Sequence, residues 1–273
     1  FIGRIGITQK ITTKCGMIKM IEISDFKYPT FVVSGAGNRF VIFDCTAQAL
    51  KDGLTNGHQL AVSELVKGIC RSMAMKVRTN VDGVVYLFQG ESPDVFAWDF
   101  YNSDGSSAEM CGNAARCVGA VVYHQKQIPQ FQLQTRSGLV AIQRLNNKNF
   151  QVEMKISQIS KLTSQTWLVN SGVPHIVVVE KDYQSAKVVQ SERWNPAAGE
   201  KGANVTFVKG ASDEGVEGKH EKDNKKLVSS ILFEAVTFER GVEGYTPACG
   251  TGAVAAASVL RELGFVTTEA KIK

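Results

Sequence analysis

Twice along this chain a run of strand-like residues ends in a polar turn, and the turn gives way to Cys-Gly at the mouth of an alanine-rich helix. The first helix reads CGNAARCVGAVVYHQ from Cys111 and the second CGTGAVAAASVLRELG from Cys249, a spacing of 138 (249 − 111) in a chain of 273 residues. A repeat at about half the chain length implies two domains of one architecture, dividing near Met154. The halves share little literal sequence, so the duplication is read from the order of their elements.

The first cycle runs from Pro29. FVVSGAGNRFVIFD (31–44) reads as strand, glycine loop, strand, and QLAVSELVKGICRSM (59–73) spaces its apolar residues at helical intervals. DGVVYLFQG and DVFAWDFYN follow as strands, the second ending at Asn102. After the helix from Cys111, strand periodicity is broken at Ser137-Gly138 and Asn146-Asn147. In the second cycle LVNSGVPHIVVVEKD, ANVTFVKG and ILFEAVTFERG are strand-like. SDEGVEGKHEKDNKK (212–226) reads as a solvated loop, and Gly264 stops the last helix.

A cysteine at the first residues of a helix meets backbone N–H groups without intrahelical partners and the positive end of the helix dipole. Both favour thiolate over thiol. The glycine that follows leaves the backbone open to an anion, and a helix N-terminus is itself a carboxylate site. Two such helices facing each other hold one amino-acid carboxylate with a thiol on either side of its α-carbon. One thiolate removes the proton and the other thiol returns one to the opposite face, which inverts the centre without a cofactor. Taken singly, a cysteine at a helix start is more often a small buried apolar residue. Two in matching contexts favour the chemistry. Cys15, Cys45, Cys70 and Cys117 are read as packed residues.

The six cysteines include no Cys-x-x-Cys pair and there are only four histidines, so no metal site is expected. Reduced thiols at this density point to a cytoplasmic protein. An organellar stroma is the alternative if the basic N-terminal segment is the remnant of a targeting peptide. With 44% apolar and 21% charged residues the composition is that of a globular protein. No run reaches a membrane span, and the net charge of +5 forms no basic stripe, so neither membrane nor nucleic acid is an expected partner.

At YNSDGSSAEMCGNAARC (101–117) and FERGVEGYTPACGTGA (238–253) the chain resembles the diaminopimelate epimerases. GAGNRF, VDG, SGVPH and GANVTF match in the family's order from Pro29 onward. The resemblance implies an α+β (α/β) fold of two pseudo-symmetric domains, each a sheet wrapped around a central helix, with the active site in the cleft between them. It places an N-terminal domain at 28–154 and a C-terminal domain at 155–273. Residues 1–27 are left as a disordered or added extension.

The activity implied is interconversion of LL- and meso-2,6-diaminopimelate, in lysine and peptidoglycan-precursor biosynthesis. Carried over by motif, Cys111 and Cys249 are the two bases. Gly112, Asn113, Gly250 and Thr251, with Asn38, bind the carboxylate of the reacting centre. Asn102, Asn204, Glu239 and Arg240 hold the distal amino-carboxylate end. No cofactor is implied, the partner is a small amino acid, and a homodimer is allowed. His175 is read as a structural imidazole rather than an acid or base.

Four departures qualify the match. Val173 stands where the family has an asparagine touching the distal end. Arg39 replaces a common acid, and the turn GVEGYTPAC is one residue longer than usual. The chain stops at Lys273, so its end is expected to be truncated relative to the family. The alternatives are a racemase of a smaller amino acid such as glutamate, and a non-catalytic amino-acid-binding homologue.

Overall fold

The computed structural model describes residues 8–9, 19–24, 26–49, 59–146, 149–179, 186–210, 232–240, 243–246, 249–265 and 271–272. The chain divides into two units, Lys14–Glu153 and Phe1–Thr13 with Met154–Lys273. Strand β1 (Thr8–Gln9) belongs to the second.

The first unit begins with β2 (Lys19–Ile23) and the hairpin β3 (Thr30–Gly35) and β4 (Asn38–Ala49). Helix α1 (Gln59–Val77) leads to β5 (Gly83–Gln89) and β6 (Val95–Asn102). Helix α2 (Gly112–Lys126) leads to β7 (Gln130–Thr135), β8 (Gly138–Arg144) and β9 (Phe150–Val152). One eight-stranded sheet runs in the order β2 to β9. Among the described residues of this sheet only β4 with β5 and β6 with β7 pair in parallel, and these are the pairs joined by a helix. That follows from geometry, because a parallel pair needs a long crossover.

Helix α2 contacts both β3–β4 and β8–β9, so the sheet curls around it. A helix enclosed this way must be apolar and narrow on nearly every side. Ala114, Ala115 and Cys117 are fully buried, and a Cβ on Gly119 would lie 2.7 Å from the Phe150 ring. On the other face of the sheet Val66, Cys70 and Met73 of α1 pack with Val41, Phe43, Val84 and Tyr86.

The second unit pairs β10 (Met154–Lys155) with β1. Its seven-stranded sheet comprises β11 (Gln158–Lys161), β12 (Thr166–Asn170), β13 (Pro174–Val179), β14 (Asn204–Gly210), β15 (Leu232–Glu239), β16 (Gly244–Thr246) and β17 (Lys271–Ile272). Helix α3 (Ala186–Arg193) lies between β13 and β14 in the chain, and α4 (Gly250–Glu262) between β16 and β17. Again the parallel pairs, β13 with β14 and β15 with β17, are those with a helix between. Hairpin, helix, hairpin, helix, strand is therefore the order in both units. Helix α4 contacts β12, β13, β14 and β15, and its Ala255, Ala256, Val259 and Leu260 pack with Trp167, Val169 and Val177.

One expectation is corrected here. The segment 1–27 is not all extension: Lys19–Ile23 pairs antiparallel with Thr30–Ser34, and Thr8–Gln9 pairs with Met154–Lys155. Such strands are held by main-chain bonds to a sheet edge, which five residues of pattern do not announce. Helix α3 was not expected, since in the described part of AKVVQSER only Val189 is buried. The topology supplies the reason, because β13 and β14 are parallel. The charged stretch 212–226 and Cys15 lie outside the described residues. The last helix ends as its glycine implies, with Gly264 at φ +79° and Phe265 N–H donating to Leu260 O at 2.9 Å.

Candidate active site

In the first unit Cys111 is the N-cap residue of α2, extended at φ −145° and ψ 115°, and half-buried. Gly112 and Asn113 open the helix beneath it, both buried. The β3–β4 hairpin brings Asn38 to the same place. Its two-residue turn, Ala36 at φ 53° and Gly37 at φ 89°, is the twist-matched kind favoured between strands. Gly35, just before the turn, runs so close to α2 that an added Cβ would lie 3.1 Å from Cys117 Sγ. Asn113 Nδ2 then donates to Asn38 Oδ1 at 2.5 Å. Asn102 ends β6 and is used by the loop that follows, donating through Nδ2 to Ser106 Oγ at 3.0 Å. Arg39 turns away, its guanidinium donating to Thr79 Oγ1 and Asn80 O and its backbone N–H to Asp82.

In the second unit Cys249 is the N-cap residue of α4, and its sulfur accepts from Gly252 N–H at 3.3 Å. Thr251 Oγ1 is also 3.3 Å from that sulfur. Behind Thr251 lies a buried polar chain whose direction can be derived. Arg240 donates its backbone N–H to Asn204 Oδ1 at 2.9 Å, and a backbone N–H can only donate. Asn204 therefore turns Nδ2 toward His175 Nε2, 3.3 Å away, and Nε2 is an acceptor. The proton sits on Nδ1 and is donated to Thr206 Oγ1 at 2.8 Å, which in turn meets Thr237 Oγ1 at 3.0 Å. Thr251 O–H donates to Nε2 at 2.9 Å, leaving its oxygen as an acceptor toward Cys249. The sulfur thus has an N–H donor, which favours thiolate, and a hydroxyl oxygen, which favours thiol.

His175 is fully buried, and its pKa is lowered to about 3, first by burial and then by the Arg240 charge. It is held neutral at pH 7. Arg240 donates through Nη1 to Gly202 O at 3.1 Å, and Glu239 accepts from the Thr246 hydroxyl across the β15–β16 hairpin. Each reaches a partner away from its sequence neighbour. Gly250 opens α4, and Ser171 Oγ ties Thr251 O at 2.9 Å. Val173, in the same loop as Ser171, is 8% exposed.

Cys45, Cys70 and Cys117 are buried. Burial, aided by Asp44 and Asp82 respectively, pushes the Cys45 and Cys70 thiols up to about 11. Sequence reasoning passed over Thr206, Thr237 and Arg116. The two threonines sit at inward positions of strands, where a hydroxyl reads as β-branched filler. Arg116 was in view inside the CGNAARC run, and its place three residues after Asn113, in a stretch otherwise of small and apolar residues as far as Val122, was the available signal. Among the described residues no group of three or more His, Cys, Asp or Glu is placed to hold a metal ion, and no helix is long and apolar enough to cross a membrane.

A family model described as diaminopimelate epimerase matches residues 30–159. Over 249 residues the chain is 30% identical to the diaminopimelate epimerase of Aquifex aeolicus, covering 86% of this chain and 81% of that protein. Over 254 residues it is 35% identical to that of Methanothrix thermoacetophila, covering 85% and 80%. Among solved structures, a predicted epimerase from Pseudomonas aeruginosa aligns with TM-score 0.52 at 14% identity, over 85% of this chain and 78% of that one. At that identity the likeness concerns the fold alone, which is the α+β architecture expected from the sequence.

Proposed function

This chain belongs to the diaminopimelate epimerase family and is an isomerase, and from that premise we propose that it interconverts LL- and meso-diaminopimelate by passing one α-proton between Cys111 and Cys249. The reading is carried by one observation: each of these cysteines is the N-cap of a helix that begins with glycine. One thiolate takes the proton as the Cα–H bond breaks. The negative charge spreads onto the α-carboxylate, where the N–H groups of Gly112, Asn113, Gly250 and Thr251 offset it. The other thiol delivers its proton to the opposite face. The cysteines have then exchanged protonation states, and the reverse reaction resets them. Asn102, Asn204, Glu239 and Arg240 are proposed to receive the distal zwitterion. The step as written uses no cofactor, and its role is in lysine and peptidoglycan-precursor synthesis.

Turnover of diaminopimelate in deuterium oxide tests this, with chiral analysis of the product and glutamate as the comparison substrate. Expected are deuterium at the inverted α-carbon and activity that survives dialysis against chelator and treatment with a carbonyl reagent. Inversion without solvent deuterium, or loss of activity in either treatment, sinks the mechanism. Buried Val173 favours one second reading, a broader specificity that extends to shorter amino acids.

A further inference from the structure

Arg116 lies one turn into α2 and is 5% exposed. Its Nη2 donates to Asn113 Oδ1, its Nε has no hydrogen-bond partner, and no ion pair to it occurs among the described residues. A buried cation without a carboxylate is costly, and near a helix N-terminus the dipole opposes it further. Something must offset that cost, and the orientation of its neighbours indicates what. A guanidinium can only donate, so Asn113 is fixed with Oδ1 toward Arg116 and Nδ2 toward Asn38. Asn38 spends its Oδ1 on that bond, and its Nδ2 makes no hydrogen bond among the described residues. The chain of amides therefore ends on a donor. Together with the helix N–H groups, the place is lined by donors and backed by a positive charge.

We propose that Arg116 is the positioning residue of the carboxylate cradle beside Cys111: it sets the direction of the Asn113 and Asn38 amides and supplies the countercharge for an incoming carboxylate. This takes from the epimerase reading only that the ligand is a carboxylate. With Asn113 unfixed, the pair could turn a carbonyl outward and repel the anion. The role should therefore appear in anion recognition more than in folding.

The test compares wild type, Arg116→Met and Arg116→Lys by the rate at which Cys111 is alkylated, read by peptide mass spectrometry. Iodoacetate, a carboxylate, is set against neutral iodoacetamide, alongside thermal melting and the Michaelis constant for diaminopimelate. The iodoacetate-to-iodoacetamide ratio should fall by about tenfold or more in Arg116→Met, within the range of electrostatic focusing in clefts. The iodoacetamide rate reports any change in the Cys111 thiolate fraction, which the ratio cancels. Arg116→Lys keeps the charge and should recover most of the ratio, while its Michaelis constant stays raised because the planar fork is lost. An unchanged ratio in Arg116→Met overturns the proposal, as does a Lys variant no better than Met at equal melting temperature. If Arg116→Met does not fold, Arg116→Lys decides: a wild-type Michaelis constant in that variant overturns it. Wild type that alkylates with the expected ratio yet fails to turn over diaminopimelate would sink the substrate assignment and leave this inference standing.

Discussion

At the start of α2 the side chain of Cys111 makes no cap hydrogen bond, whereas at the start of α4 the Cys249 sulfur accepts from Gly252 N–H. Behind Asn113 stands a buried cation, Arg116; behind Thr251 stands a buried neutral imidazole, His175. Both helices begin Cys-Gly, and both bury a polar third residue, yet the two halves hold that residue by different means. An amide has a fixed donor end and a fixed acceptor end, so Asn113 needs an obligate donor to set its direction. A hydroxyl rotates, so Thr251 needs only an acceptor whose tautomer is fixed. The two halves share the backbone device, and each holds its buried polar contents by different means.

The largest expected effect leaves the halves equal. A positioned acid or base contributes roughly 10²–10⁴-fold, so Cys111→Ala and Cys249→Ala should each cost that much in epimerisation rate. Either variant retaining more than about a tenth of wild-type turnover breaks the two-base symmetry.

Acid should separate the halves. His175 titrates at about 3 in the fold, against about 6.5 in an unfolded chain. Between those values the unfolded chain binds the proton and the folded one does not, so stability is complete above about pH 6.5 and is lost as the pH falls toward 3. From pH 7 to 4 this group should cost about 3 kcal/mol. Hydrogen exchange should show α4 losing protection before α2, and His175→Asn should flatten the pH slope of unfolding. Equal loss in both helices would count against the imidazole as the acid-labile element.

The fourth residue of each motif sharpens the comparison further. Ala114 is fully buried and accommodated, but a Cβ on Gly252 would collide with Thr237 Oγ1 and lie 3.0 Å from Thr206 Oγ1. Gly252→Ala should destabilise the protein by about 1–3 kcal/mol through overpacking. Ala114→Gly should cost about 1 kcal/mol, the ordinary helix penalty. Denaturant melts of the two variants would show whether the hydroxyls beneath α4 can give way.

The smallest effect concerns Val173. A hydrogen bond to a charged ligand group adds about 1.5–3 kcal/mol, so Val173→Asn should lower the Michaelis constant for diaminopimelate by up to about tenfold per 1.4 kcal/mol regained. Selectivity over glutamate should rise with it. Unchanged specificity ratios would make Val173 a packing residue only.

The order of elements, the two helix starts and the hairpin turns were legible in the sequence because each is a local signal. Cys-Gly before an alanine run marks a helix mouth, and alternation marks the strands. Residues 19–23 and 186–193 were not legible as elements. The first is a strand only because a sheet edge accepts it, and the second a helix because the parallel pairing of β13 and β14 needs a crossover. The chemistry of the halves divides in the same way. Sequence alone determined that two cysteines would cap two glycine-led helices, since capping and dipole act over one turn of chain. Only the tertiary structure decided that Arg116 directs Asn113 and Asn38, and that Arg240's backbone fixes His175 through Asn204. Asn38 and Asn113 are 75 residues apart and Asn204 and Arg240 are 36 apart. Hydrogen-bond direction between such partners depends on which atoms the folded sheets bring together, and no local pattern encodes it.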